Sequence, residues 1–143
     1  MNANSTPSAN VALVQKLYGH FGQGNIPAIL EELGDQMEWH GMGAPLLTYA
    51  GDYKGQAIGQ FFQGLGQTLD ITEFAPLDFV ERGDDLIAFG VIGGTARATG
   101  QPFRSKWIMH WKFQNGRPRY FQDYVDTANL YAATLAVAQP IGL

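Results

Sequence analysis

From about Leu69 to Asp126 the chain alternates apolar and polar residues with a period of two. That pattern belongs to strands with one buried face, and its length commits the second half of the molecule to a sheet. ITEFAPLDFVER runs to a turn at residues 82–85, and LIAFGVIGGTARATG follows as a long strand. Gly90, Gly93 and Gly94 inside it predict a bend or bulge, because glycine weakens a flat ribbon. PFRSKWIMHWKF and RPRYFQDYVD then flank Gln114-Asn115-Gly116-Arg117, a strong hairpin signal.

The first half follows a helical period. Val14, Leu17, Tyr18 and Phe21 fall at i, i+3, i+4 and i+7, one stripe of an amphipathic helix that Gly22 and Gly24 end. Asn25 as cap and Pro27 in the first turn open a second, short helix carrying Ile29, Leu30 and Leu33. MEWH (37–40) alternates as a brief strand, and residues 41–55 read as a glycine-rich loop. Ile58, Phe61, Phe62 and Leu65 mark a third helix, and residues 127–138 a short terminal helix capped by Asp126 or Thr127. Helices first and sheet afterwards is an α+β order. Residues 10–138 form a single domain in this reading, with disordered tails at 1–9 and 139–143.

The last hairpin decides what its one interior carboxylate faces. A two-residue type I′ turn pairs Ile108 with Asp123 and puts Phe121 and Val125 on the face of Arg104, Lys106 and Lys112. A type I turn with a glycine bulge slips the pairing by one residue. Phe121, Asp123 and Val125 then join Phe103, Trp107, Met109, Trp111 and Phe113, while His110 sits with Tyr120, Gln122 and Tyr124. Only the second register gives one apolar and one amphipathic face, as a half-buried sheet needs. It sets Asp123 in an aromatic wall without a cation. Desolvation there raises a carboxyl pKa, and a group held near neutrality can take and return protons.

Totals narrow the function classes. A net charge of -4 with only 9 Lys+Arg argues against nucleic acid or an anionic membrane as the partner. There is no apolar run of membrane-spanning length and no basic-then-apolar leader, so a soluble, cytoplasmic protein is expected. With no cysteine, there is no thiolate nucleophile and no disulfide. Histidines at 20, 40 and 110 lack ligand spacing, and no dinucleotide or P-loop pattern occurs, so neither metal nor cofactor is expected. The charged fraction, 15%, is low enough to suggest surface covered by a partner subunit.

LVQKLYGHFGQGNIPAIL, YAGDYKGQAIGQFFQGL and WKFQNGRPRYFQDYVDTANL, in this order and spacing, resemble the SnoaL-like branch of the nuclear transport factor 2-like superfamily over residues 11–135. The resemblance implies a cone: three helices packed on a strongly curved antiparallel sheet around an apolar pocket. It also implies a homodimer through the outer sheet face. Asp123 falls where SnoaL-type polyketide cyclases carry their acid/base on the final strand, and Met109 where they carry a contributing histidine. His40 falls within one residue of the carboxylate base of the related ketosteroid isomerases. The isomerase's tyrosine position on the first helix maps to Leu17, with Tyr18 pointing elsewhere.

The expected function is cofactor-independent acid/base chemistry on a small apolar or carbonyl-bearing ligand, of isomerase, cyclase, dehydratase or hydrolase type. A non-catalytic ligand-binding or dimerisation module is the alternative. Asp123 is the expected acid/base and His40 a second proton group. Tyr49 and Tyr53 are candidate hydrogen-bond donors at the pocket mouth, and Trp39, Trp107, Met109, Trp111 and Phe121 candidate walls.

Overall fold

A computed structural model describes residues 6–135. Two helices, α1 (Ala9–Gly22) and α2 (Ile26–Leu33), precede strands β1 (Glu38–Gly41) and β2 (Gly51–Lys54). Helix α3 (Ile58–Thr68) leads into β3 (Leu69–Arg82), β4 (Asp85–Ala96), β5 (Pro102–Gln114) and β6 (Arg117–Val125), and α4 (Thr127–Thr134) follows. The α+β order read from sequence holds. Ser8 and Ala9, placed in the amino-terminal tail by sequence, cap and open α1, with the Ser8 side chain accepting from the Val11 amide at 3.1 Å. Asn25 and Asp126 cap α2 and α4 as expected. The 139–143 tail and residues 136–138 of the expected terminal helix lie outside the described residues.

The six strands run in the order β2-β1-β6-β5-β4-β3. The 41–55 segment, expected to be loop throughout, supplies β2, whose half-buried pattern in a four-residue strand leaves little periodic signal. One pair also departs from the expected antiparallel sheet: β1 runs parallel to β6, with Trp39 beside Phe121 and His40 beside Gln122. Among the described residues no helix is long and apolar enough to cross a membrane.

Curvature has a local cause. β3 carries register shifts at residues 71–73 and 76–78, opposite the glycines of β4. A side chain at Gly90 would bring its Cβ within 2.2 Å of the Trp107 ring and 2.5 Å of the Ala75 carbonyl oxygen. At Gly94 it would approach the Asp70 carbonyl oxygen to 1.9 Å. Glycine is therefore what lets β3 fold over β4 and Trp107 lie flat against the bend. The concave face receives α1 and α3, and Val14, Leu17, Ile58, Phe61, Trp107, Trp111 and Phe121 are buried between them.

The β5–β6 register combines parts of both expected forms. The turn is the two-residue form, with Gln114 opposite Arg117 and positive φ at both Asn115 (53°) and Gly116 (77°). The one-residue slip occurs just beyond it: Phe113 pairs with Pro118 and Lys112 with Tyr120, leaving Arg119 unopposed. Pro118 has no amide hydrogen to give the ladder, so the strand breaks register beside it. Past that bulge Trp111 faces Phe121, Met109 faces Asp123 and Trp107 faces Val125. The preferred face assignment stands, and the device producing it is a bulge at Arg119 rather than at the turn.

Candidate functional site

The concave face closes around a narrow cavity of about 70 Å³. Its wall is almost entirely hydrocarbon, with Trp39, Phe61, Phe74, Trp107, Trp111 and Phe121 among its aromatic members. Every wall residue expected from sequence on β1, β5 and β6 reaches it, Met109 included. Trp39 lies flat on Phe121, centroids 3.7 Å apart and planes 15° from parallel, and Trp107 stacks on Phe74 at 5.2 Å.

Among the described residues, Asp123 is the only charged side chain lining this cavity. The bulge at Arg119 turns it inward, and it is buried with only 9% of its surface exposed. One hydrogen bond reaches the carboxylate, from the Met42 amide to Oδ1 at 2.7 Å. Oδ2 has no hydrogen-bond partner among the described residues. Arg97 is engaged with the Gly66 carbonyl and with Asp70, and Arg104 with Glu73, so neither offsets the charge. Burial dominates and lifts the pKa from the ordinary 3.8 to about 6, with the Met42 amide pulling the other way.

Two phenols share the wall. Burial, and secondarily the Asp123 charge, raises the Tyr49 hydroxyl above the usual tyrosine range, so it stays a proton donor. Tyr18 is buried and lines the cavity, against the sequence expectation that it points elsewhere. Its hydroxyl accepts from Trp111 Nε1 at 3.1 Å and donates to the Met109 sulfur at 3.1 Å. Desolvation keeps it protonated too. Met109, whose sulfur accepts from the Tyr18 hydroxyl, is paired with Asp123 in the β5–β6 ladder, and all three residues line the cavity. A thioether is a weak acceptor that a ligand oxygen can replace. The Trp39 indole nitrogen, with no hydrogen-bond partner among the described residues, is a further buried donor in this wall.

Two expected members are elsewhere. His40 alternates with the buried Trp39 and so faces outward, its Nδ1 2.6 Å from Asp52 Oδ1 and its ring against Tyr120. It shares no cavity with Asp123. Tyr53 donates its hydroxyl to the Tyr49 carbonyl at 2.7 Å, packing behind the site rather than opening onto it. His110 lies on the outer face, bonded to Asp85 at 2.7 Å. The sequence carried two overlooked signals. Period-two alternation that buries Trp39 necessarily turns His40 away, and the helical stripe containing Tyr18 packs on the same face as Trp111. Met42, whose contribution is a backbone amide, leaves no trace in residue type.

Comparison with known proteins agrees with the architecture. A nuclear transport factor 2-like protein of unknown function from Burkholderia pseudomallei superposes with a TM-score of 0.82 at 26% identity, covering 91% of this chain and 100% of its own. One from Burkholderia xenovorans gives 0.79 at 23% identity, covering 91% and 98%. TerC, co-crystallised with polyporic acid, gives 0.80 at 24% identity, covering 89% and 98%. No curated protein matches the sequence. The SnoaL-like domain model aligns with residues 14–120. With that match over most of its length, the curved sheet and the aromatic-walled cavity, the chain belongs to the SnoaL-like domain family and has the nuclear transport factor 2-like fold.

Proposed function

We propose that this protein is a small-molecule enzyme that moves protons without a bound cofactor, acting on a neutral, apolar substrate that carries a carbonyl. The observation that carries this reading is the isolated Asp123 carboxylate, buried in hydrocarbon with one hydrogen bond and a pKa raised to about 6. A base of that strength is ionised at neutral pH yet basic enough to abstract a proton next to a carbonyl. Tyr49 and Tyr18 supply neutral donors for the oxygen on which negative charge develops. Among the described residues the cavity wall carries no Lys, Arg or His, so an anionic substrate would enter it uncompensated. His40 does not act in this scheme. The outer sheet face bears Phe89, Ile108 and Tyr124 in one exposed cross-strand row, which supports the reading that two copies pair there.

The test is exchange of α-protons for solvent deuterium in a panel of small neutral aryl ketones, followed by NMR. Wild type accelerates exchange of at least one member over buffer. Asp123→Asn loses the acceleration while remaining folded, and His40→Ala keeps it within about twofold. Equal acceleration by Asp123→Asn would overturn the assignment.

A further inference from the structure

The cavity is too small for the ligands its wall suits. Pockets that take small organic molecules hold roughly 300 Å³ or more, whereas this one holds about 70 Å³. A ligand of that size requires some part of the wall to move. β4, β5 and β6 are fixed by ladders of eight or more paired residues, and α1 and α3 by the buried core.

The β1–β2 connection, residues 42–50, adds Leu47 and Tyr49 to that core but has few hydrogen bonds to the frame. It is bonded to itself, the Leu47 amide to the Gly43 carbonyl at 2.9 Å and the Ala50 amide to the Leu47 carbonyl at 3.0 Å. Among the described residues only two hydrogen bonds tie it to the rest of the fold: Met42 N–H to Asp123 and the Tyr53 hydroxyl to the Tyr49 carbonyl. Gly41 and Gly51, the last pair of the β1–β2 ladder, bracket it, and Gly43 within it (φ 116°) and Gly51 (φ 135°) hold backbone conformations that side-chain-bearing residues avoid. Leu46, at its tip, is 57% exposed, while Leu47 and Tyr49 are buried beneath. Tyr49 seats against α3 where Gly64 leaves space; a Cβ at Gly64 would lie 2.9 Å from the Tyr49 Cβ.

We propose that residues 42–50 form a flap, rooted at the Gly41–Gly51 pair that ends the β1–β2 ladder, that lifts to admit the substrate and on closing positions Asp123 through the Met42 amide while returning the Tyr49 hydroxyl to the cavity. Met42 is thus a positioning residue acting through its backbone, and half of the polar site travels with the flap. This rests on the proton-transfer reading for the word substrate, but the motion itself is independent of turnover. Of the groups that titrate around the cavity, Asp123 and Tyr18 stay with the frame and Tyr49 moves. Lifting the flap wets the carboxylate, and because burial outweighs the Met42 bond, its proton affinity falls.

Amide hydrogen exchange on the wild-type protein tests the motion. Met42, Leu47 and Ala50 should exchange at least about tenfold faster than Phe121 and Gln122 through local opening, and saturating 2-naphthol should slow them selectively. Exchange matched to that of β6 would overturn the proposal, whatever 2-naphthol does. Gly64→Ala crowds Tyr49 and biases the flap open, so the Asp123 carboxyl, followed by ¹³C NMR, should titrate well below about 6, toward 3.8. A carboxyl still titrating near 6 in the folded variant would also overturn it. If Gly64→Ala does not fold, the wild-type exchange pattern decides alone. Ketone exchange activity can fail without affecting either readout, which separates failure of the flap from failure of the proposed chemistry.

Discussion

Replacing Asp123 by asparagine removes one ionisation from the cavity while keeping size and shape, and its effect should appear as a pH dependence. The native pKa of about 6 lies above the ordinary 3.8, so between these values the folded protein holds a proton that the unfolded chain has released. Stability therefore falls as pH rises through this window, by about 3 kcal/mol in all at ~1.4 kcal/mol per pH unit. Well below pH 3.8 the side chain is neutral in both states and costs nothing; well above pH 6 the full cost is present. The asparagine variant escapes it. Any fixed cost of fitting an amide into the site is the same at every pH and cancels in the comparison. Urea unfolding of wild type and Asp123→Asn from pH 4 to pH 8 should show the variant gaining on wild type by about 2.5 kcal/mol, with most of the change between pH 4 and 6. A stability difference that is flat with pH would mean the carboxylate is solvated. One that moves in favour of wild type would mean it is paired with a cation. Either result removes the basis for an elevated pKa and for Asp123 as the base.

Tyr18→Phe deprives the Trp111 indole N–H of its acceptor at a site where Trp111 is 2% exposed, so about 1–3 kcal/mol of stability should be lost. In a Trp111→Phe background the same substitution should cost markedly less, and equal losses in both backgrounds would show that the bond contributes nothing. Ile108→Arg places a charge in the exposed row shared with Phe89 and Tyr124. Sedimentation should show a dimer for wild type and a monomer for the variant; a wild-type monomer at micromolar concentration would end the outer-face reading.

Much of the architecture was legible because it follows from periodicity. The stripes of α1 and α3, the caps at Asn25 and Asp126, the turn at Asn115-Gly116 and the inward face of β5 all depend on neighbours within a few residues. What escaped depends on distant partners. β2 is a strand because β1 lies beside it, and β1 runs parallel to β6 across some eighty residues of chain. The site divides in the same way. Asp123 stood out as a charge among apolar residues, whereas Met42 contributes only an amide. His40 has the side-chain chemistry of a proton carrier, but the alternation of its own strand turns it outward. Pro118 was the available marker for the bulge, since a residue without an N–H breaks a ladder near itself.

The bulge at Arg119 also makes the chemistry of β6 a matter of parity. One unopposed residue decides whether odd- or even-numbered positions look inward. Were the same strand to pair without a break from the turn, Phe121, Asp123 and Val125 would be withdrawn and Tyr120, Gln122 and Tyr124 presented to the cavity instead. A hydrocarbon chamber with one acid would become one lined by phenols and an amide. Inserting one residue between Arg119 and Tyr120, with a single bulge retained, makes the same exchange. Removing Arg119 does not, because Tyr120 then follows Pro118 directly and still lies opposite Lys112. In this fold a one-residue gain in length can replace one kind of interior by another, exchanging every inward residue of the strand beyond the bulge at once.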